Sequence, residues 1–348
     1  MKKTIAACIT AAFAANYSAV VAAEEVFIAP LVEQSVLLDI DADEFVVIVG
    51  ERGHVLISQD GQSFKQLKVP SQSTLTAATI KGDHIWAVGH DAVILHSPDR
   101  GETWEVQNFQ PELQRPFLDV LFFDTQHGIA LGAYGLFYRT LDGGKSWQAE
   151  RHASLLDPYD REYLESVREE DEAFYQQELE SILPHLNRVT AHGNTLYIAG
   201  EAGLLARSTD RGESWQRFTV DYTGSFFDIK PLDSDTVLAV GLRGNIFVTR
   251  DSENWEYIST CSTSTLNSIY LTESNKIYAL GNNGMLVSAS RPLQTSQHNP
   301  YANPSSCTPA TGVETRQVED KAALLNAVSF NGQTIAVSAN GIKTLNLE

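Results

Sequence analysis

Cysteine is nearly missing from this 348-residue chain, with three copies, and methionine is rarer still, with two. So few thiols exclude a disulfide-dense small scaffold and a four-cysteine zinc site. Nine histidines are present without H-x-x-x-H or Cys–His spacing, so no zinc site, other metal or cofactor is expected. Positive charge is scarce as well: 25 Lys and Arg stand against 44 Asp and Glu, a formal net charge of −19. A surface that acidic repels nucleic acid, which is excluded as a partner. Long apolar runs are missing beyond the N-terminus. No later stretch approaches about 18 apolar residues, so no transmembrane helix is expected.

Residues 1–23 read as an export signal. Lys2-Lys3 is a positive head, residues 4–15 are mostly apolar, and Val21-Ala22-Ala23 precedes Glu24 as a small-residue cleavage site. Cleavage after Ala23 implies a periplasmic or secreted protein of residues 24–348. Cys8 has no apolar run before it and makes a poor lipid anchor. Loss of Lys2 and Lys3 takes the net charge from −19 to −21. Cys261 and Cys307 then remain in an oxidising compartment, where a disulfide between them is expected.

What the chain has in plenty is repetition. A hydrophobic run ending in glycine appears as Val46-Val47-Ile48-Val49-Gly50, Ile85-Trp86-Ala87-Val88-Gly89 and Gly128-Ile129-Ala130-Leu131-Gly132. It returns at residues 196–200, 237–241 and 277–281, and as Ile335-Ala336-Val337-Ser338 with serine in place of glycine. Upstream of each lies a Leu/Phe-x-x-Val/Ile run, at residues 37–40, 117–120, 186–189, 226–229, 266–269 and 325–328, with a weaker copy at 75–78. Uniformly apolar runs suit strands buried on both faces. A period of about forty residues predicts an all-β, seven-bladed propeller, with the Leu/Phe runs as inner strands a and the glycine-ending runs as strands b. The seventh copy stops after its third strand. The apolar segment 26–32 is the candidate N-terminal strand that closes the last blade.

Five of the third strands end in Ser/Thr-x-Asp-x-Gly-x-Ser/Thr-Trp or a shorter version of it. The turns carry Asp60, Asp99 with Trp104, Asp142 with Trp147, Asp210 with Trp215, and Asp251 with Trp255. Aspartate and hydroxyl groups bond turn amides, glycine permits the reversal, and tryptophan covers the turn, so these residues read as structural. They are Asp boxes. Over roughly residues 35–348 the repeat resembles the bacterial neuraminidase repeat superfamily and, more closely, the photosystem II stability/assembly factor-like family of exported propellers. That resemblance implies a non-catalytic protein that binds, assembles or stabilises a membrane or envelope complex. Its photosynthetic members engage their partner with an arginine-rich patch. Here Arg52, Tyr134 and Arg243 occupy turns after strand b and are the candidate contacts.

Two insertions break the period. The first, about 152–186, opens with Asp157-Pro158 as helix cap and first residue, and Pro184 ends it. Ten carboxylates lie between Asp157 and Glu180 against Arg161 and Arg168. Leu164, Val167, Phe174 and Ile182 give a thin apolar stripe over one helix or a broken pair. Asp160, Glu169, Glu170, Asp171 and Glu172 form a candidate acidic arm for a protein partner. The second insertion, about 291–320, is rich in Pro, Ser, Thr and Asn and reads as a long ordered loop holding Cys307. The outer strand of blade six has no clear sequence signature. Loops between blades share a face with the turns after strand b, and that decorated face is the expected binding face of a monomer.

Catalytic signals are weak. A sialidase-like hydrolase needs an arginine cluster, a Tyr–Glu nucleophile pair and an acidic donor. Tyr257 beside Glu256 falls on an outer strand, away from the channel, so no enzyme and no catalytic residue is expected. A glycan-processing hydrolase or a glycan-binding module is the alternative function. Position three of strand a reads Asp39, Ala77, Asp119, Arg188, Asp228, Ser268 and Ala327 around the channel; hydrogen bonds between neighbouring strands are the favoured use for these groups. Asp39-Ile40-Asp41-Ala42-Asp43 imitates a calcium loop, but Glu44 replaces its required glycine.

Overall fold

The computed structural model describes residues 28–296, 300–301 and 306–347. Seven antiparallel sheets are arranged around a central axis, and six of them run a–b–c–d from the axis outward. Strands a are Leu37–Ala42, Leu75–Lys81, Phe117–Phe122, Leu186–His192, Phe226–Pro231, Leu266–Leu271 and Leu324–Phe330. Strands b are fully buried in the first, third, fifth and sixth blades (Val46–Gly50, Gly128–Gly132, Val237–Gly241, Ile277–Gly281), as their uniform apolar character requires. The cores lie between blades rather than within them. Val47 and Val49 of blade one pack with Leu75, Ile85 and Ala87 of blade two, and Trp86 stacks on Phe122 of blade three at 3.5 Å between centroids.

Every strand a carries a register shift between its first and third residues. This bulge turns the second and third side chains toward the neighbouring blade. In blade seven the pairs are Leu324 with Ser338 and Asn326 with Val337, matching Leu37 with Gly50 and Asp39 with Val49 in blade one. The seventh repeat is therefore one residue earlier than its sequence suggests. Position three there is Asn326, not Ala327, because Leu324, fully buried, fills the anchor site.

Blade seven has three strands among the described residues. Of the segment expected to add a fourth, residues 26–27 lie outside the described residues, and Val32–Gln34 forms a 3-10 turn. This turn still closes the ring. A Cβ on Gly341 (φ +82°) would meet the Glu33 carbonyl at 1.8 Å, as one on Gly53 would meet that of Ser71 at 2.2 Å. Glu33 and Ser71 both lie four residues before a strand a, so the chain start fills the inter-blade loop position of the last blade. Val32, Leu37 and Ile40 share a core with Phe330, Ile335 and Val337.

The first insertion is a helical hairpin, α1 (Pro158–Glu170) and α2 (Glu172–Ile182). Asp157 caps α1 by accepting from the Tyr159 amide at 3.0 Å. Asp171 ends α1 and caps α2, accepting from Ala173 and Phe174 amides at 2.9 and 3.1 Å. The break restarts the helical period. Tyr175 and Leu179 of α2 join Leu164 and Val167 in a small separate core, and Phe174, expected in the stripe, is 46% exposed. The second insertion is shorter than expected, because Val313–Gln317 is the outer strand of blade six.

Candidate functional site

One face of the ring gathers the turns after strand b and the loops between blades. At the tip of six of these turns a non-glycine residue is held in the left-handed region: Arg52, Asp91, Tyr134, Ala202, Arg243 and Asn283, with φ between 53° and 61°. The conformation costs such residues about 1–3 kcal/mol each. Arg52 and Arg243 are exposed and Tyr134 is 48% exposed. These three residues lie on blades one, five and three, so they share a face rather than a pocket. Around Tyr134 a finer cluster forms. Arg115 lies 5.6 Å over its ring, His185 meets it edge-on at 4.6 Å, and Glu180 from α2 pairs with Arg151 at 3.1 Å and with Arg115 at 3.6 Å.

Both insertions reach this face. The hairpin is fastened there by Leu183, which fills the space a Gly135 side chain would take, and by the Gly135 amide donating to Pro184. On the hairpin, Asp160, Glu169 and Glu170 are exposed. Glu172 accepts from Arg168 at 3.1 Å and from Gln176 at 2.9 Å, and Asp171 is engaged as a cap. The second insertion climbs blade five from the opposite face. Arg291 pairs with Asp233 at 3.4 Å, Ser296 and Ala310 amides donate to Tyr257 and Ser259 carbonyls, and Tyr301 OH lies 2.8 Å from the Thr223 amide. A disulfide joins Cys261 to Cys307, so the insertion is clipped to the loop after blade five.

The opposite face carries the aspartate turns. Asp60 accepts from Ser58 Oγ and from the Gln62 and Ser63 amides at 2.8–3.0 Å. Asp142, Asp210 and Asp251 accept in the same manner from the hydroxyls of Thr140, Ser208 and Thr249 and from amides two to four residues on, and Asp99 does so from Ser97 and Thr103. Amide donors, that of Ser63 first, hold the Asp60 carboxyl down at about 2. Hydroxyl donors, Ser208 first, do the same for Asp210. Trp215 is buried, while Trp104, Trp147 and Trp255 are half-buried. Trp104 Nε1 donates to the Gly101 carbonyl of its own turn at 3.2 Å.

Position three around the channel holds blades together. Asp39 accepts from the Ala78 amide (3.0 Å), Asp119 from the Val189 amide (2.7 Å) and Asp228 from the Ile269 amide (2.7 Å), each on the next blade. The intervening joints come from position two, which the sequence reading passed over. Thr76 donates to the Phe117 carbonyl (2.7 Å), Asn187 to Phe226 (2.7 Å) and Asn267 to Leu324 (2.8 Å). Asn326 completes the circuit by donating to Asp39 at 2.7 Å. Polar residues recurring at positions two and three of the Leu/Phe runs were the available signal. Asp41 reinforces the first joint through the Ile80 amide at 2.8 Å, which accounts for the calcium-like spelling.

Arg188 reaches into the channel to Asp119 at 3.4 Å and Asp39 at 3.6 Å. Burial works against its charge, but Asp119, Asp39 and Asp228 together hold its pKa above the ordinary value. Burial pushes the Asp119 carboxyl up to about 7, against the pull of Arg188. Ala77, buried, is a packing residue at this level. Glu256 and Tyr257 lie on the outer strand Trp255–Ile258, where Glu256 pairs with Arg250.

Among the described residues no helix is long and apolar enough to cross a membrane. A family model described as photosynthesis system II assembly factor YCF48 matches residues 23–114 and 106–306. The photosystem II assembly lipoprotein Ycf48 of a Prochlorococcus marinus strain is 27% identical over 154 residues, 38% of this chain and 45% of that protein. The chain thus spans under half the length of that relative. Among solved structures, YCF48 from Cyanidioschyzon merolae superposes with a TM-score of 0.64 at 16% identity, covering 92% of this chain and 96% of the other. A structure described as YCF48 bound to D1 peptide gives 0.62 at 16% identity, covering 90% and 93%. These superpositions establish a shared fold.

Proposed function

The chain belongs to the photosynthesis system II assembly factor YCF48 family, and on that premise we propose that it is an exported, non-catalytic propeller that holds a polypeptide segment of a membrane or envelope complex during assembly. The supporting observation is the asymmetry of the two faces. On one, aspartates are tied into turns; on the other, the exposed Arg52, Tyr134 and Arg243 share a face with both insertions. A relative whose structure is described as bound to a D1 peptide supports a protein partner. Relatives named lipoproteins support export, with cleavage after Ala23 in this chain. The position of Glu256 and Tyr257 on an outer strand favours binding over hydrolysis. Asp160, Glu169, Glu170 and Glu172 form an acidic flank on the same face.

Crosslinking and pull-down from the membrane fraction tests the reading. Arg52→Glu with Arg243→Glu is expected to lower recovery of membrane-complex subunits at least tenfold with the fold intact. Equal recovery from wild type and double variant would remove this face as the binding surface.

A further inference from the structure

On the aspartate-turn side of blade two, strands His84–Gly89 and Ile94–Ser97 run antiparallel with Trp86 opposite His96. Residues two apart on a strand share a face, so His84, Trp86 and His96 stand together. His84 Nδ1 lies 2.9 Å from His96 Nε2, and His96 Nδ1 lies 2.9 Å from Glu105 Oε1 on the outer strand Glu105–Asn108. Both imidazoles stack with Trp86, at 5.4 and 4.8 Å between centroids. They line a cleft of about 390 Å³ shared with Trp104, Thr103, Asp142 and Lys145.

With Glu105 accepting the His96 Nδ1 proton, His96 Nε2 presents a lone pair to His84. The two ring nitrogens thus face each other across a hydrogen bond that a bound ion would replace, and a carboxylate stands behind one of them, as behind most metal-ligating imidazoles. We propose that His84 and His96 form a two-imidazole site for a divalent transition-metal ion of right-angled coordination preference, Cu²⁺ first. At metal–nitrogen distances of about 2.0–2.1 Å, nitrogens this close subtend about 90° at the ion, which suits tetragonal Cu²⁺. Tetrahedral Zn²⁺ needs a wider separation and binds more weakly. Among the described residues no group of three or more His, Cys, Asp or Glu side chains converges, so water from the cleft completes the coordination. Binding moves the His84 proton from Nδ1 to Nε2 and releases none while the pair is neutral. Burial, then His96, keeps the His84 pKa below its ordinary value. Asp83, Glu105, Asp142 and Lys145 are the neighbouring charges. The linear sequence hides the pair, because its spacing comes from strand register.

The test is titration of the untagged mature protein with CuSO₄ at pH 7.5, followed by tryptophan fluorescence and calorimetry. Wild type is expected to bind one Cu²⁺ that quenches part of the emission. His96→Gln is expected to weaken that site at least tenfold, Glu105→Gln about tenfold, and acidification to pH 5 to abolish it. His84→Gln, at a half-buried ring, keeps the test decisive if His96→Gln fails to fold. Equal Cu²⁺ affinity and quenching in His84→Gln and wild type would overturn the site, as would a Zn²⁺ affinity equal to that for Cu²⁺.

Discussion

A buried aspartate serves two ends in this ring. Asp119 bridges to the next blade and stands 3.4 Å from Arg188, and burial lifts its pKa from the ordinary 3.8 to about 7. The folded state therefore holds this proton more tightly than the unfolded chain does. Its favourable contribution is full below about pH 4 and is lost as pH rises toward 7. Asp119→Asn is expected to flatten the fall in stability over that window, measured by urea midpoints at several pH values; an unchanged slope would remove Asp119 as its source. At this scale the sequence was partly legible. Asp39, Asp119 and Asp228 stood out as carboxylates at one repeat position, and inter-strand bonding was the favoured reading. Thr76, Asn187 and Asn267 did not, because neutral polar residues on half-buried positions look like ordinary surface. Only the bulge shows that these residues aim at a neighbouring carbonyl.

Among the elements, strands b and the aspartate turns were readable because their demands are local: apolar runs for two buried faces, glycine for left-handed turns, Asp and Ser for amides. The hairpin was half readable. Composition announced acid and helix, but whether the chain breaks at Asp171 depends on the core that Leu164, Val167, Tyr175 and Leu179 build together. Asp171→Ala is expected to cost about 1 kcal/mol through loss of the α2 cap, seen as faster amide exchange at Ala173 and Phe174. Exchange there matching wild type would mean the cap is dispensable. The outer strand Val313–Gln317 escaped notice because five exposed or half-exposed residues carry no hydrophobic pattern. Its pairing with Met285–Ala289 becomes visible only in the fold.

Across the whole molecule the seven joints form a circuit, each handing from one blade to the next. Six also follow chain connectivity; the seventh, Asn326 to Asp39, joins residues 287 apart. The seventh repeat was misread by one residue because Leu324 and Leu325 both fit the template, and only pairing with Ser338 decides between them. Asn326→Ala is expected to lower global stability by about 1–3 kcal/mol, since it leaves a buried carboxylate oxygen short of a donor. Exchange protection should fall first on blades one and seven; a loss spread evenly over all blades would show that this joint is nothing special.

The same separation sets a clock. During synthesis the chain emerges from its beginning, and blades can pair in order as each follows the last. Asp39 and the apolar side chains of Val32, Leu37 and Ile40 must wait for Phe330, Ile335, Val337 and Asn326, the last of which is 287 residues beyond Asp39. Until then blade one is a half-finished wall facing solvent, and a nascent chain stalled before residue 324 keeps that wall open to whatever binds exposed apolar strands. The ring is itself unguarded until its last blade arrives.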